Sequence, residues 1–156
     1  MNNLRAFGIL YRMELDFSLL APEHIEAVSA IEQLSFPSPW TRTLFEREIS
    51  VPISHFFIAK NNDAVVGYGG YWLVAGEASI VNLAVHPDHR GRGFGRKILL
   101  FLIDDARASS AGSVFLEVRK GNRAAQCLYA SCGFEASGVR AKYYGEEDAV
   151  VMKKTL

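Results

Sequence analysis

The sequence predicts one mixed α/β (α+β) domain whose elements run β-α-α-β-β-β-α-β-α-β-β. Apolar residues recur every three or four positions in three stretches, which is the spacing of one helix face. The shorter runs between them alternate with polar residues or are apolar throughout, which is typical of strands. The chain has 156 residues, about the size of one domain, and contains no repeat, low-complexity tract or linker.

The first half of the domain is predicted to hold one strand, two helices and then three strands. Pro22 opens the first helix, because Pro is favoured in a first turn, and the Pro-rich segment 36–40 separates the two helices. Short polar turns join the next three strands, which therefore form an antiparallel meander. The predicted elements are strand 11–20, a helix from Pro22, helix 41–50 and strands 55–60, 64–74 and 78–85. Residues 1–10 are expected to be a short extension, so that the domain spans 11–156.

The second half is predicted to alternate strand and helix and then to close with two strands. Val114, Leu116 and Val118 share one face of a strand, and Glu117 lies on the opposite face. Asn122 is expected to cap the helix that follows. The predicted elements are helix 93–110, strand 113–119, helix 122–132 and strands 134–144 and 149–154. The order strand, helix, strand implies local parallel pairing.

Composition and charge argue against several classes of protein. Lys and Arg together number 17, as do Asp and Glu, so the net charge of zero gives no broad attraction to nucleic acid or acidic membranes. No apolar run reaches the length of a membrane span, and no signal peptide is evident, so we expect a cytoplasmic protein. Cys127 and Cys132 are expected to be reduced, and no Cys/His spacing predicts a metal site. A monomer or a weak homodimer is expected.

A loop rich in glycine and arginine lies between strand 78–85 and the next helix. It consists of Arg90, Gly91, Arg92, Gly93, Phe94, Gly95 and Arg96. Glycines let the backbone approach a ligand, the first N–H groups of a helix bind phosphate, and arginine adds charge-assisted bonds. The loop therefore predicts a pyrophosphate site. A dinucleotide fingerprint requires glycine where Arg96 stands, and the Lys of a Walker loop is absent, so neither of those loops fits.

The run Arg90-x-x-Gly93-x-Gly95 resembles the coenzyme A pyrophosphate loop of the GCN5-related N-acetyltransferases, the GNAT family. Residues 82–87 resemble the strand that leads into that loop, and residues 116–119 and 128–134 resemble the closing half of the family. The resemblance covers roughly residues 12 to 155, with its motifs in the family's order. It implies the GNAT fold, with a mostly antiparallel, centrally splayed sheet flanked by helices. It also implies that acetyl-CoA donates an acetyl group to an amine.

The same resemblance implies how the cofactor is held. Backbone groups of Leu83, Ala84 and Val85 would pair with the pantetheine arm as if it were an added strand, and one of their N–H groups would polarise the thioester carbonyl. Loop 90–96 would hold the pyrophosphate. The side-chain amide of Asn122 would reach the cofactor from the next helix.

Two residues are assigned to catalysis by the resemblance. Glu117 would be the general base, acting through water, and Tyr129 would contact the cofactor and protonate the leaving thiolate. Without the resemblance, Glu117 would be interpreted as a surface carboxylate paired with Arg119 or Lys120, and Tyr129 as a core aromatic residue.

The acceptor half of the sequence resembles one type within the family. Residues 116–119, Arg140-x-x-Tyr143-Tyr144 and the run 147–149 resemble the RimI type, which acetylates the N-terminal alanine of ribosomal proteins. The resemblance implies a protein N-terminus as acceptor, such as that of a ribosomal protein. Trp40, Tyr143 and Tyr144 are then candidates to grip it, although core packing explains these aromatic side chains almost as well.

Two alternatives stay open at this point. A lysine side chain, a polyamine or another small amine could be the acceptor instead, because the cofactor half would look the same. An alternative of another class is a non-catalytic domain that binds acetyl-CoA as a sensor or scaffold. The presence of both Glu117 and Tyr129 favours an enzyme.

Overall fold

Seven strands and four helices are found within residues 14–156, which are the residues that the computed structural model describes. The strands are β1 (Asp16–Leu19), β2 (Ser54–Asn61), β3 (Ala64–Val74), β4 (Glu77–Val85), β5 (Ser113–Arg119), β6 (Glu135–Tyr144) and β7 (Glu147–Thr155). The helices are α1 (Ile25–Ser35), α2 (Arg42–Glu48), α3 (Phe94–Ala108) and α4 (Arg123–Ser131). The strands form one sheet in the order β1-β2-β3-β4-β5-β7-β6. The predicted element order is confirmed.

Some predicted boundaries differ from the observed ones. Strand 11–20 was expected, but β1 begins at Asp16, because Asp16 pairs with Lys60 and β2 turns into β3 just beyond that residue. Residues 11–13 and the expected extension 1–10 lie outside the described residues. Pro22 opens a short 3-10 turn (Pro22–His24), and the α-helix itself begins at Ile25.

The sheet splays apart at its centre, as the predicted fold class requires. β4 and β5 are parallel and pair only over Glu77–Ser79 and Ser113–Phe115, whereas all other neighbouring strands pair antiparallel. Beyond this short contact each strand continues without the other. The inner edge of β4 after Ser79 is therefore left without a strand partner, which creates room for a ligand.

A bulge in β4 lies within this unpaired stretch. Gly70 of β3 stands opposite Asn82, but the next residue, Tyr71, stands opposite Ile80, so Val81 is an extra residue in β4. A bulge locally bends a strand and re-aims its side chains. Here it lies just before Leu83, at the start of the segment expected to meet the cofactor.

The two faces of the sheet carry separate apolar clusters, because successive residues of a strand point to opposite faces. On one face, α3 packs over β3 and β4, and its side chains Ile98 and Leu102 belong to the same apolar cluster as Val114 of β5. On the other face, α1 and α2 cover Phe56, Ile58 and Tyr68. Burying each such aliphatic side chain contributes about 1.5–3 kcal/mol, and these clusters fix the helices on the sheet.

Glycine in β3 allows α3 to pack closely over the sheet. A Cβ at Gly67 would lie 2.7 Å from Ile98 Cδ1 and 2.8 Å from the Ala84 carbonyl oxygen. Neither the α3 side chain nor the β4 backbone has room to move away in a close-packed core. The absence of a side chain at Gly67 thus brings the start of α3 against the unpaired end of β4.

Candidate active site

Two cavities open where β4 and β5 diverge. The first has a volume of about 550 Å³ and the second about 510 Å³. Ser35, Phe36 and Leu83 line both of them. Leu83 is on β4 and Ser35 is the last residue of α1, so the two cavities meet between that strand and the end of that helix. This arrangement offers adjacent sites for two different ligands.

The first cavity is bounded by the predicted pyrophosphate loop and by the end of β4. Its lining includes Leu83, Ala84, Val85, Arg90, Gly91, Gly93, Phe94, Gly95 and Arg96, together with Ala124, Ala125 and Leu128 of α4. All of the residues predicted for the loop and the strand are therefore brought together except Arg92. Arg92 is exposed and is not part of the lining.

The loop leads directly into the N-terminus of α3. Gly91 and Gly93 have φ values of 75° and 78°, in the left-handed region that favours glycine, and Gly93 is the residue that caps α3. The Lys97 N–H makes the first helical bond, to the Gly93 carbonyl, so the N–H groups before it have no partner within the helix. Free N–H groups at a helix N-terminus attract phosphate.

Two of the three arginines of the loop also bind neighbouring parts of the protein. Arg90 donates from Nε to the Val85 carbonyl and from Nη2 to Ser35 Oγ, each at 3.0 Å. Arg96 donates from Nη1 to Ser131 Oγ at 2.6 Å. These bonds tie the loop to β4, α1 and α4. Arg90 therefore shapes the loop, in addition to facing the cavity.

The unpaired edge of β4 presents alternate backbone groups to the cavities. The His86 N–H donates to the Val66 carbonyl of β3 at 2.8 Å. Because backbone groups alternate along a strand, the Ala84 N–H also faces β3, and the N–H groups of Leu83 and Val85 face the open side. Leu83 and Val85 thus retain N–H groups that could pair with an extended ligand. Ala84 is buried and only forms part of the cavity wall.

The second cavity combines residues from α1, the segment 36–40, β4 and β5. Glu117, Asn122 and Tyr129, which the sequence assigned to the cofactor and to catalysis, all line it. The Glu117 side chain is 21% exposed, and its Oε1 lies 3.3 Å from Nη2 of Arg140 on β6. The two partners expected from the sequence do not pair with Glu117. Arg119 pairs with Glu147 instead, at 3.1 Å, and the ion-pair partner of Glu117 is Arg140 rather than Lys120.

Tyr129 enters the second cavity from α4, and Asn122 enters it from the position that caps this helix. Tyr129 is half-buried, and burial raises the pKa of its phenol above the ordinary value, so the hydroxyl is protonated at neutral pH. Asn122 Oδ1 accepts the Ala125 N–H at 3.1 Å, which confirms the predicted cap. Its Nδ2 is the part of the amide that can reach a ligand.

The three aromatic residues predicted to grip the acceptor are placed differently. Trp40 lines the second cavity and also packs on Phe45, with ring centroids 5.4 Å apart. Tyr144 lines it too, and its hydroxyl donates to the Glu117 carbonyl at 3.2 Å. Tyr143 is 50% exposed, contacts the ring of Tyr144 edge-on, and is not part of the lining.

Sequence reasoning missed Glu32, which also lines the second cavity. It lies on α1, is 1% exposed, and accepts hydrogen bonds from the Trp40 N–H, the Tyr68 hydroxyl and Asn82 Nδ2. Its spacing of seven from Ile25 and four from Val28 places it on the apolar face of the helix. A carboxylate on that face is the signal that could have revealed it.

Residues 14–156 contain no cluster of three His, Cys, Asp or Glu side chains that could hold a metal ion. Cys127 and Cys132 are both free. Each helix in the same part of the chain is too short or too polar to traverse a bilayer.

Comparisons with known proteins agree with this geometry. The model of the Acetyltransferase (GNAT) family matches residues 25–134. The ribosomal protein bS18-alanine N-acetyltransferase of Salmonella typhimurium is 33% identical over 144 residues, which cover 86% of this chain and 93% of that protein. The N-alpha-acetyltransferase RimI of Mycobacterium tuberculosis is 38% identical over 122 residues, which cover 74% and 75%.

A solved structure shows the same fold. The crystal structure of the ribosomal-protein-S18-alanine N-acetyltransferase from Escherichia coli has a TM-score of 0.84 and 31% identity, and the match covers 91% of this chain and 94% of that one. The chain therefore belongs to the GNAT acetyltransferase family. It is an N-acetyltransferase, an acyltransferase, and its resemblance to the RimI type is confirmed.

Proposed function

We propose that this enzyme transfers the acetyl group of acetyl-coenzyme A to the N-terminal α-amine of a protein, with a ribosomal protein that begins with alanine as the acceptor. One observation carries the proposal: a cavity lined by Glu117 and Tyr129 meets, at Leu83, the cavity bounded by the pyrophosphate loop. The acceptor class is supported by the relatives named above, which act on alanine of bS18 or are N-alpha-acetyltransferases.

The residues of the first cavity fit a coenzyme A thioester. A Cβ at Gly91 or at Gly93 would meet no atom within 4 Å, so the backbone there is open to a ligand. The N–H groups at the start of α3 would hold the pyrophosphate, with Arg96 beside them. The outward N–H groups of Leu83 and Val85 would pair with the pantetheine arm. When bound, acetyl-coenzyme A supplies an activated acetyl thioester.

Glu117 would prepare the acceptor. An α-amine has a pKa of about 7.7–8.0, so a large share is protonated at neutral pH and must lose a proton before it can react. The Glu117 carboxylate faces the second cavity and can take that proton through a water molecule. Arg140, with Nη2 at 3.3 Å from Oε1, would hold the carboxylate in one orientation.

The remaining groups would assist acyl transfer itself. The neutral amine attacks the acetyl carbonyl carbon, and the new C–N bond forms as the C–S bond breaks. An N–H group on the open edge of β4 would stabilise the negative charge that develops on the carbonyl oxygen. Tyr129 would give its hydroxyl proton to the departing sulfur, and the second proton that the nitrogen loses on becoming an amide would return to the Tyr129 oxygen through water. The proton taken by Glu117 then leaves to solvent.

The acceptor would enter beside the segment 36–40 and β6. Trp40 and Tyr144 line the second cavity from these two sides, and each is held by a second contact, to Phe45 and to the Glu117 carbonyl respectively. Aromatic side chains fixed in this way present a rigid apolar surface beside the cavity, which suits a peptide N-terminus.

The proposal is tested with the purified enzyme, acetyl-CoA and a panel of short peptides that begin with Ala, Ser or Met. We expect the Ala peptide to gain one acetyl group by mass spectrometry and to release free thiol at the highest rate. An acetyl-blocked Ala peptide that carries an internal lysine, and a free polyamine, serve as controls. Turnover on the blocked peptide or the polyamine, with none on free N-termini, would contradict the proposal and support a different amine acceptor.

A further inference from the structure

We propose that Glu32 is a positioning residue for the acceptor, which it serves by fixing the segment 36–40 against β4. This inference rests on the proposed function of the second cavity. Glu32 does not touch the reacting atoms. It acts through Trp40 and Asn82, which line the same cavity.

The hydrogen bonds of the Glu32 carboxylate join three parts of the fold. Oε1 accepts the Trp40 N–H at 2.9 Å, and Oε2 accepts Asn82 Nδ2 at 3.1 Å as well as the Tyr68 hydroxyl. The side chain is 1% exposed, and its partners are three neutral donors. In such a desolvated site each of these bonds is strong, and each loss is costly. Burial and the bond to Glu32 also raise the pKa of Tyr68, so this hydroxyl stays a donor.

The segment 36–40 has few other means of being held. It belongs to no helix or strand, and Pro37 and Pro39 have no N–H to donate. The Phe36 N–H donates to the Glu32 carbonyl, and the Trp40 N–H donates to the Glu32 carboxylate. Both ends of the segment are thus tied to one residue. A change in the carboxylate alone would release the Trp40 backbone and leave the packing of its ring on Phe45 and Phe56 as the remaining contact.

The other oxygen of the carboxylate reaches the strand on which the thioester would lie. Asn82 follows the bulged Val81 and precedes Leu83, where the two cavities meet. Glu32 therefore sets the distance between the Trp40 side of the acceptor entrance and the unpaired edge of β4. A misplaced amine reacts slowly even when every catalytic group is intact, because acyl transfer requires close alignment.

Glu48 provides a matched control for the loss of a buried carboxylate. It is also a helix residue, is 9% exposed, and accepts from Ser54 Oγ and Trp72 Nε1. It lines neither cavity. If buried glutamates matter here for stability alone, Glu32→Gln and Glu48→Gln will behave alike in every kinetic measurement.

The test compares the two variants with the parent enzyme. We expect both to lower the melting temperature, but only Glu32→Gln to raise KM for the Ala peptide, by about tenfold or more, as the loss of one buried hydrogen bond implies. The Kd for acetyl-CoA, measured by calorimetry, should change less than about twofold, which corresponds to a change of less than about 0.5 kcal/mol in binding free energy. Glu32→Asp keeps the carboxyl group on a shorter side chain, and it is expected to raise KM likewise should Glu32→Gln not fold.

A fluorescence measurement tests the same inference without relying on activity. The chain has two tryptophans, Trp40 and Trp72, so Trp72→Phe leaves Trp40 as the single reporter. In that background Glu32→Gln should increase the quenching of Trp40 by acrylamide, and Glu48→Gln should not. A folded Glu32→Gln enzyme with parental peptide KM and parental quenching would overturn the inference. If the parent acetylates no peptide, the proposed function fails, and the quenching alone then decides the role of Glu32.

Discussion

The chemistry of the second cavity depends on the contrast between one carboxylate and one phenol. Glu117 is partly exposed beside the Arg140 guanidinium, whereas Tyr129 is half-buried and its pKa is raised by burial. A carboxyl group and a protonated phenol that line one cavity can divide base and acid duties at neutral pH. The acid role of Tyr129 can be tested by a substitution that removes only its hydroxyl.

Tyr129→Phe removes the proposed acid and keeps the ring. The ring still contacts Phe134 edge-on, as it does now at a centroid distance of 6.1 Å, so folding and acetyl-CoA binding should be nearly unchanged. We expect kcat for the Ala peptide to fall by about 10²-fold or more, because general acid catalysis typically contributes that much. Steady-state kinetics and calorimetric Kd values provide the measurement. Equal turnover in the variant would exclude Tyr129 as the acid.

Single residues differ in how far the sequence could place them. Strand alternation put Glu117 on the face opposite Leu116 and Val118, and these two are buried in the structure. The partner Arg140 could not be predicted, because β7 lies between β5 and β6 and only the folded sheet brings that side chain across it. The burial of Glu32 was missed because an isolated acidic residue in an amphipathic helix normally faces solvent.

One carboxylate, that of Glu147 at the start of β7, reinforces the backbone pairing of this strand with the end of β5. Glu147 Oε1 accepts the Gly121 N–H at 2.9 Å, and Oε2 lies 3.1 Å from Arg119 Nη1. These two bonds, first that from Gly121, lower the pKa of Glu147 below its ordinary value of 4.5. Stability contributed by a carboxylate with a lowered folded-state pKa is complete above the unfolded-state pKa and is lost as pH falls through the folded-state value.

Glu147→Gln should therefore destabilise the protein in a pH-dependent way. We expect a lower melting temperature than that of the parent at pH 7, and a difference that shrinks once the pH falls below 4.5, the ordinary value for this carboxyl. Thermal melts followed by circular dichroism between neutral and acidic pH measure this difference. Glu146→Gln is the matched control, since its side chain is 95% exposed and it should melt like the parent. A difference that stays constant with pH would show that the ionised form is not responsible.

The bounds of a helix or strand were predicted best where residues at its own ends determine them. Helix 93–110 was expected, and α3 spans Phe94–Ala108, because Gly93 and Ser110 adopt left-handed conformations at its two ends. The position of β7 between β5 and β6 follows no local pattern, since strand order depends on packing between distant segments. The first strand was predicted too long for the same reason, because its limits depend on where β2 offers partners.

The splay divides the sheet of the whole molecule into two parts, β1–β4 and β5–β7. Backbone pairing joins them over only three residues of each strand, at Glu77–Ser79 and Ser113–Phe115. Otherwise α3 connects the two parts, through core side chains such as Leu102 that belong to the same cluster as Tyr71 and Val114. A ligand that lies along the unpaired edge of β4 would occupy the gap between the parts and add to this narrow connection.

Acetyl-CoA should consequently stabilise the entire fold and protect specific amides of β4. At 100 times its Kd, a ligand that binds only the folded state adds about 2.7 kcal/mol. For a domain of this size, each kcal/mol raises the melting temperature by about 2–4 °C, so we expect a rise of about 5–10 °C. Hydrogen exchange should slow at the amides of Leu83 and Val85, which face the open side. The amide of Ala84, which already faces β3, should change little.

Adenosine 3′,5′-bisphosphate distinguishes stabilisation by phosphate binding from pairing along β4, because it carries phosphates but no pantetheine arm. At the same concentration it should raise the melting temperature less and leave exchange at Leu83 and Val85 unchanged, since nothing pairs with them. Equal protection of Ala84 and Val85 by acetyl-CoA would mean that the protein tightens globally and that no added strand forms. Selective protection requires a partner along one edge of β4, and the gap between β4 and β5 leaves that edge free after Ser79.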